Sequence, residues 1–114
     1  MALEKRTRVE IFLPLRSDDL RYRTVTEWLA EELAFSRGGS TLTTPFAGLF
    51  LAATEKILIR DRIQILFCDF DLDPSDAEDT RELVSYLSEL RLLMMEVLSE
   101  EDVWIVYHAT TRVR

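Results

Sequence analysis

The chain reads as an α+β domain, with an antiparallel sheet and two helices packed on one of its faces. Three observations predict this. Short runs such as Thr7–Leu13 and Ile63–Cys68 are rich in β-branched and aromatic residues. Two longer stretches, around residues 24–37 and 75–99, repeat apolar residues at helical spacing. Gly38-Gly39 and Pro74 separate the two kinds of segment. The 114 residues suffice for one core of ordinary size, so a single domain over 1–114 is expected.

The first strand spans Thr7 to Leu13, where Val9, Ile11 and Leu13 alternate with Arg8, Glu10 and Phe12. Pro14 ends it, because proline lacks the amide that continues a ladder. Leu15–Arg23 is polar and contains Ser17-Asp18-Asp19, which suits a loop or a helix start. The first helix starts near Asp19 or Thr24, and Thr24-x-x-Glu27 matches a capping box. Val25, Trp28, Leu29 and Leu33 form its apolar face, with Trp28 as the expected core anchor. Gly38-Gly39 stops it, since glycine takes the left-handed cap conformation. The same Gly38-Gly39-Ser40 turn is a candidate phosphate cradle, but the long glycine frame and Lys-Ser ending of a P-loop are missing.

Residues 41–68 read as a hairpin: a strand from Thr41 to Leu51, a turn near 53–56, and a strand from Ile57 to Cys68. Pro45 and Gly48 imply an edge position or a bulge in the first strand. A short helix over 48–58 is the competing reading. The second helix begins at Ser75, with Glu78 completing a capping box and Asp76 and Asp79 adding negative charge at the positive end of the dipole. Leu83, Leu87, Leu90, Met94 and Val97 make its stripe, widened by Val84, Leu93 and Leu98. A last strand covers Val103–Thr111.

Strand, helix, strand, strand, helix, strand: this βαββαβ order resembles the ferredoxin-like sandwich across nearly the whole chain, by element order alone and without pointing to a specific family. The four cysteines of an iron–sulfur ferredoxin are missing, so no cluster is implied and no cofactor is expected. In such a sandwich one sheet face lies open. Here Ile63, Ile65 and Phe67 oppose Leu66 and Cys68, while Val103, Ile105 and Tyr107 oppose Trp104 and Val106. Both faces are therefore largely apolar, which predicts a homo-oligomer, a dimer first, joined through the sheet face and with room for a small-molecule ligand.

Charge and composition narrow the partners. A formal charge of −7 opposes non-specific nucleic-acid binding, although Lys5, Arg6, Arg8, Arg16, Arg21 and Arg23 concentrate basic charge near the start. Residues 71–102 carry eleven acidic and two basic groups. No apolar run approaches the ~20 residues of a membrane span, and the first residues lack a signal-peptide core, so a cytoplasmic protein without membrane contact is expected. Cys68 is the sole cysteine and is expected to be buried and inert.

Two groups of residues are candidates for chemistry. Asp69-x-Asp71-x-Asp73 follows an apolar strand, where alternating carboxylates can share a divalent cation. The run Ile65-Leu66-Phe67-Cys68-Asp69-Phe70-Asp71 resembles the first motif of haloacid-dehalogenase-type phosphatases. That resemblance implies Asp69 as nucleophile and Asp71 as acid/base, but position 73 departs from the motif and the chain is short for that fold. An EF-hand does not fit, because Pro74 replaces its glycine and Thr80 its glutamate. His108, the sole histidine, shares a strand face with Trp104, Val106 and Thr110. Trp104, His108 and Thr110 could therefore line a pocket like that of the dimeric α+β-barrel monooxygenases, with His108 as acid/base. No catalytic constellation stands out, and a non-catalytic oligomeric binding or regulatory module is the leading expectation. A small-molecule enzyme near His108 and a divalent-metal protein at Asp69, Asp71 and Asp73 are the alternatives.

Overall fold

The strand that opens the chain is the one the sheet is built around. A computed structural model describes residues 2–16, 18–51 and 58–114. In chain order its elements are β1 (Leu3–Pro14), α1 (Leu20–Arg37), β2 (Thr41–Leu42), β3 (Phe46–Leu51), β4 (Leu58–Phe70), α2 (Ala77–Leu98) and β5 (Trp104–Val113). β1 lies between β4 and β5 and is antiparallel to both. β2 and β3 both pair with the outer edge of β4, also antiparallel. The fold is thus α+β with a five-stranded antiparallel sheet and two helices. Its order departs from the expected six elements because 41–51 is divided into two strands.

Register sorts the side chains. Val9 lies opposite Cys68 and Tyr107, and Ile11 opposite Leu66 and Ile105. Paired residues share a face, so these positions form one side of the sheet. Val9, Ile11, Leu66, Cys68 and Phe70 join Leu29 and Leu33 of α1 and Leu83, Leu87 and Met94 of α2 in one buried cluster. Both helices therefore cover this side. Thr7, fully buried on it, donates its hydroxyl to the Leu72 carbonyl at 2.9 Å.

α1 takes the earlier of its two expected starts, whereas α2 begins one residue beyond expectation. α1 is capped by Asp19, whose carboxylate accepts from the Arg21 amide at 2.9 Å, and Thr24 lies inside the helix. The earlier start places Tyr22 in the core, its hydroxyl donating to the Glu100 carboxylate with the Leu98 carbonyl 3.2 Å away. α2 is capped by Asp76, which accepts from the Asp79 amide at 2.9 Å, one residue beyond the expected Ser75. Ser75 instead donates to Asp73 through both its amide and its hydroxyl. Gly38, with φ of 94°, ends α1 as expected. Trp28 is 44% exposed rather than a core anchor, and it borders an apolar groove between the helices with Val25, Leu93 and Val97. Of the α2 stripe, Val97 is exposed and Leu98 is buried in its stead.

The hairpin reading of 41–68 holds for the paired strands; the turn near 53–56 lies outside the described residues. Leu42 pairs with Leu66, yet Phe46 pairs with Ile63, so three residues on one side face two on the other. This one-residue bulge falls at Thr43–Pro45, where proline interrupts the ladder. Thr43 repairs part of it: its amide donates to the Ile65 carbonyl and its hydroxyl accepts from the Ile65 amide, each at 3.0 Å. The bulge carries Phe46 to the side of the sheet away from the helices.

Candidate functional site

The side without helices is divided along the strands. Pro14–Ile63–Phe46 and Trp104–Phe12–Ile65 form two adjacent cross-strand rows, followed by Val106–Glu10–Phe67. Trp104 is 61% exposed and Phe46 47%, and the Trp104 ring meets Phe12 edge-on at 6.5 Å. These rows make a largely apolar half, in which Glu10 is the one charged member. Beyond them lie His108–Arg8–Asp69, then Thr110–Arg6, then Arg112–Glu4, a charged half. The expectation that strand residues on this side are apolar is therefore met at one end of the sheet only.

Charge in the second half is largely paired. Arg8 grips Asp69 with two hydrogen bonds of 2.8 and 2.9 Å, which hold the Asp69 carboxyl below its usual range. Arg6 donates to Glu4 at 3.0 Å and to the Asp69 carbonyl at 3.2 Å, and the bond from Arg6 lowers the Glu4 pKa. Asp71, which is exposed, stands 3.8 Å from Arg6. Asp73 turns the other way, held by Ser75, whose hydrogen bonds depress its pKa. Asp69, Asp71 and Asp73 are thus each turned to a different partner. Among the described residues no group of three or more His, Cys, Asp or Glu side chains is arranged to hold a metal ion.

Trp104, His108 and Thr110 do share the open side of β5, as alternation requires. Among the described residues, the cavities lined by Trp104 and by Thr110 are separate. Trp104 borders a shallow depression with Arg91 and Asp102, whereas Thr110 lines a larger cavity of about 780 Å³ at the charged end of the sheet. That cavity is walled by Arg6, Arg8, Arg37 and Arg112, by the Gly38–Ser40 turn, and by Asp69 and Asp71. Cys68 also borders it. Burial, and then the Asp69 charge, push this thiol up to about 11, so it stays protonated and donates to the Gly39 carbonyl at 3.3 Å.

Sequence reasoning missed Arg37 and Arg112. Arg37 ends α1, where a basic residue is ordinary helix chemistry, and nothing in the local pattern announces that its guanidinium lies 4.3 Å from the Phe70 ring centroid and 4.9 Å from that of Tyr86. The Gly38-Gly39-Ser40 turn, Arg6, Arg8, Cys68, Asp69, Asp71 and Thr110 were singled out in the sequence, but for separate reasons that did not join them into one site. Among the described residues, no helix is long and apolar enough to cross a membrane. Compared with known proteins, the chain matches no family model, no curated relative and no solved structure.

Proposed function

We propose that the protein is a small, non-catalytic binding module that works as a two-fold dimer, joined through the apolar half of its open sheet side. The observation that carries this reading is the unbroken apolar set Phe46, Ile63, Ile65, Phe12, Trp104 and Val106, which spans four strands with no layer over it among the described residues. Contiguous exposed apolar surface of this kind marks association. A second copy suits it best, because the apolar rows occupy one end of the sheet. Rotating a copy by two-fold symmetry stacks apolar half on apolar half and leaves both charged halves in water. The framework is read as a ferredoxin-like sandwich whose second strand is broken at Pro45. In support, β4 and β5 flank β1 and the 41–51 segment lies outside β4.

Native mass spectrometry and sedimentation of the wild type and of Trp104→Asp test the reading. A wild-type dimer and a folded monomeric variant are expected, since an aspartate in the seam must be desolvated without a partner. A wild-type monomer at high micromolar concentration, or a variant that still dimerises, overturns it.

A further inference from the structure

The cavity at the charged end of the sheet lies where β4 loses its outer neighbour. β2 pairs only with Phe67 and Leu66, so the edge of β4 beyond Phe67 is left to the Gly38–Ser40 turn. Four arginines and two aspartates line the space, giving a formal local charge of +2 (four minus two) in a chain of −7. Two of the arginines are already neutralised, Arg8 by Asp69 and Arg6 by Glu4. The other two, Arg37 and Arg112, have no carboxylate within ion-pairing distance among the described residues.

Arg37 is the more telling of the pair. Its guanidinium is held against the Phe70 and Tyr86 rings, and its Nε is buried with no hydrogen-bond partner. The Nε of Arg6 is likewise buried and unpartnered. Buried guanidinium nitrogens without acceptors are costly unless something else supplies the acceptor. The neighbouring turn is fixed as well: Cys68 donates to the Gly39 carbonyl and Ser40 donates its hydroxyl to the Ala30 carbonyl at 2.8 Å. The amides of Gly39 and Ser40 donate to no backbone carbonyl among the described residues. Unpaired cations beside free amides are the chemistry that recognises a phosphate, with arginine as the bidentate partner.

We infer that this cavity binds a small phosphorylated compound, whose phosphate is taken by Arg37 and Arg112 beside the Gly39-Ser40 turn. The volume fits that size class, being larger than one inorganic phosphate requires and within the range of small-molecule sites. Asp69 and Asp71 hold the neighbouring arginines in place and leave only the surplus positive charge for the ligand. The site does not depend on dimerisation, because it lies at the opposite end of the sheet from the apolar rows.

The test is calorimetric titration of the full chain with inorganic pyrophosphate at low ionic strength, with thermal melting alongside. Saturable binding with one pyrophosphate per chain and a raised melting temperature are expected. Arg112→Gln and Arg37→Gln should each weaken binding roughly tenfold or more, the loss of a charge-assisted contact. Arg91→Gln, remote from the cavity, should leave it unchanged. Among the described residues Arg112 makes no ion pair, so its variant keeps the test decisive if Arg37→Gln melts early. No wild-type binding at about 1 mM pyrophosphate, where a contact of only ~4 kcal/mol would register, overturns the inference. So does a folded Arg112→Gln protein that binds as the wild type does. Neither result touches the dimer, which is read separately by mass.

Discussion

Replacing Thr7 by valine isolates one buried hydrogen bond that anchors the connection between β4 and α2. The side chain is fully buried and its hydroxyl donates to the Leu72 carbonyl at 2.9 Å, to which no backbone amide donates among the described residues. Valine keeps the shape and removes the donor. Leaving a buried acceptor unpaired costs about 1–3 kcal/mol. Exchanging hydroxyl for methyl in an apolar setting returns about 0.8 kcal/mol. A net loss of about 0.2–2.2 kcal/mol remains, or roughly 1–9 °C in melting temperature for a domain of this size. The assay is urea unfolding followed by circular dichroism, with the slope checked so that the midpoint alone carries the change. Amide exchange at Asp73 and Ser75 should also quicken, since the bond pins that segment. A Thr7→Val protein as stable as the wild type, or more so, would refute the reasoning, because the methyl gain would then stand unopposed.

The other predictions concern capping and titration. Asp76→Ala should cost about 1 kcal/mol in thermal unfolding and Ser75→Ala less, because Asp76 holds the N-terminal amide of α2; the reverse ranking would return the cap to Ser75. In an alkaline titration followed by phenolate absorbance, Tyr22 should ionise at about 12, pushed there by burial and by its hydrogen bond to Glu100. Its folded value lies above its unfolded one near 10, so the stability it contributes is full below pH 10 and is lost as pH rises through 12. Tyr22→Phe should remove both the late-titrating phenol and that alkaline loss. Arg8→Met should cost under ~1 kcal/mol at neutral pH, since the pair with Asp69 is half exposed. The depressed Asp69 value means that this stability exists above the unfolded aspartate value of about 3.9 and fades as pH falls through the folded one. Urea midpoints for wild type and variant should therefore converge in strong acid; a constant gap would show that the pair is not the cause.

How far the sequence could be read depended on the range of the interaction concerned. The parity of Val9, Ile11 and Leu13 and the spacing of Leu83, Leu87, Leu90 and Met94 are local patterns, and each found its buried side. Caps were harder, because several acceptors stand within two residues of each helix start. Asp76 prevails over Ser75 because Asp73 captures the serine through its amide and hydroxyl. Thr24-x-x-Glu27 was a sound local match, overridden once the core claimed Tyr22 and drew the helix start back to Asp19. Trp28 failed as an anchor for a related reason: Leu29 and Leu33 fill the sheet-facing line, leaving the larger ring at the rim. The cavity was hidden as an assembly, although several of its residues stood out singly. Arg6, Arg8, Arg37 and Arg112 come from three elements, and only the β1–β5 register and the end of α1 bring them together.

The extra residue at Thr43–Pro45 acts as a parity switch in the edge of the sheet. Before it, even-numbered Leu42 shares a side with Leu66 under the helices; after it, even-numbered Phe46 shares a side with Ile63 in the open rows. The reading frame of inside and outside is thus reset once within six residues. Removing the extra residue would straighten the edge without exchanging sides, because Leu42 would still reach Leu66 and Phe46 would still reach Ile63, now by plain alternation. Removing a second would exchange the two sides of β3, sending Ala47 and Leu49 outward to replace Phe46 and Gly48. The connection therefore tolerates the loss of one residue but not of two, and the apolar patch at the sheet edge depends on that count as much as on the side chains that form it.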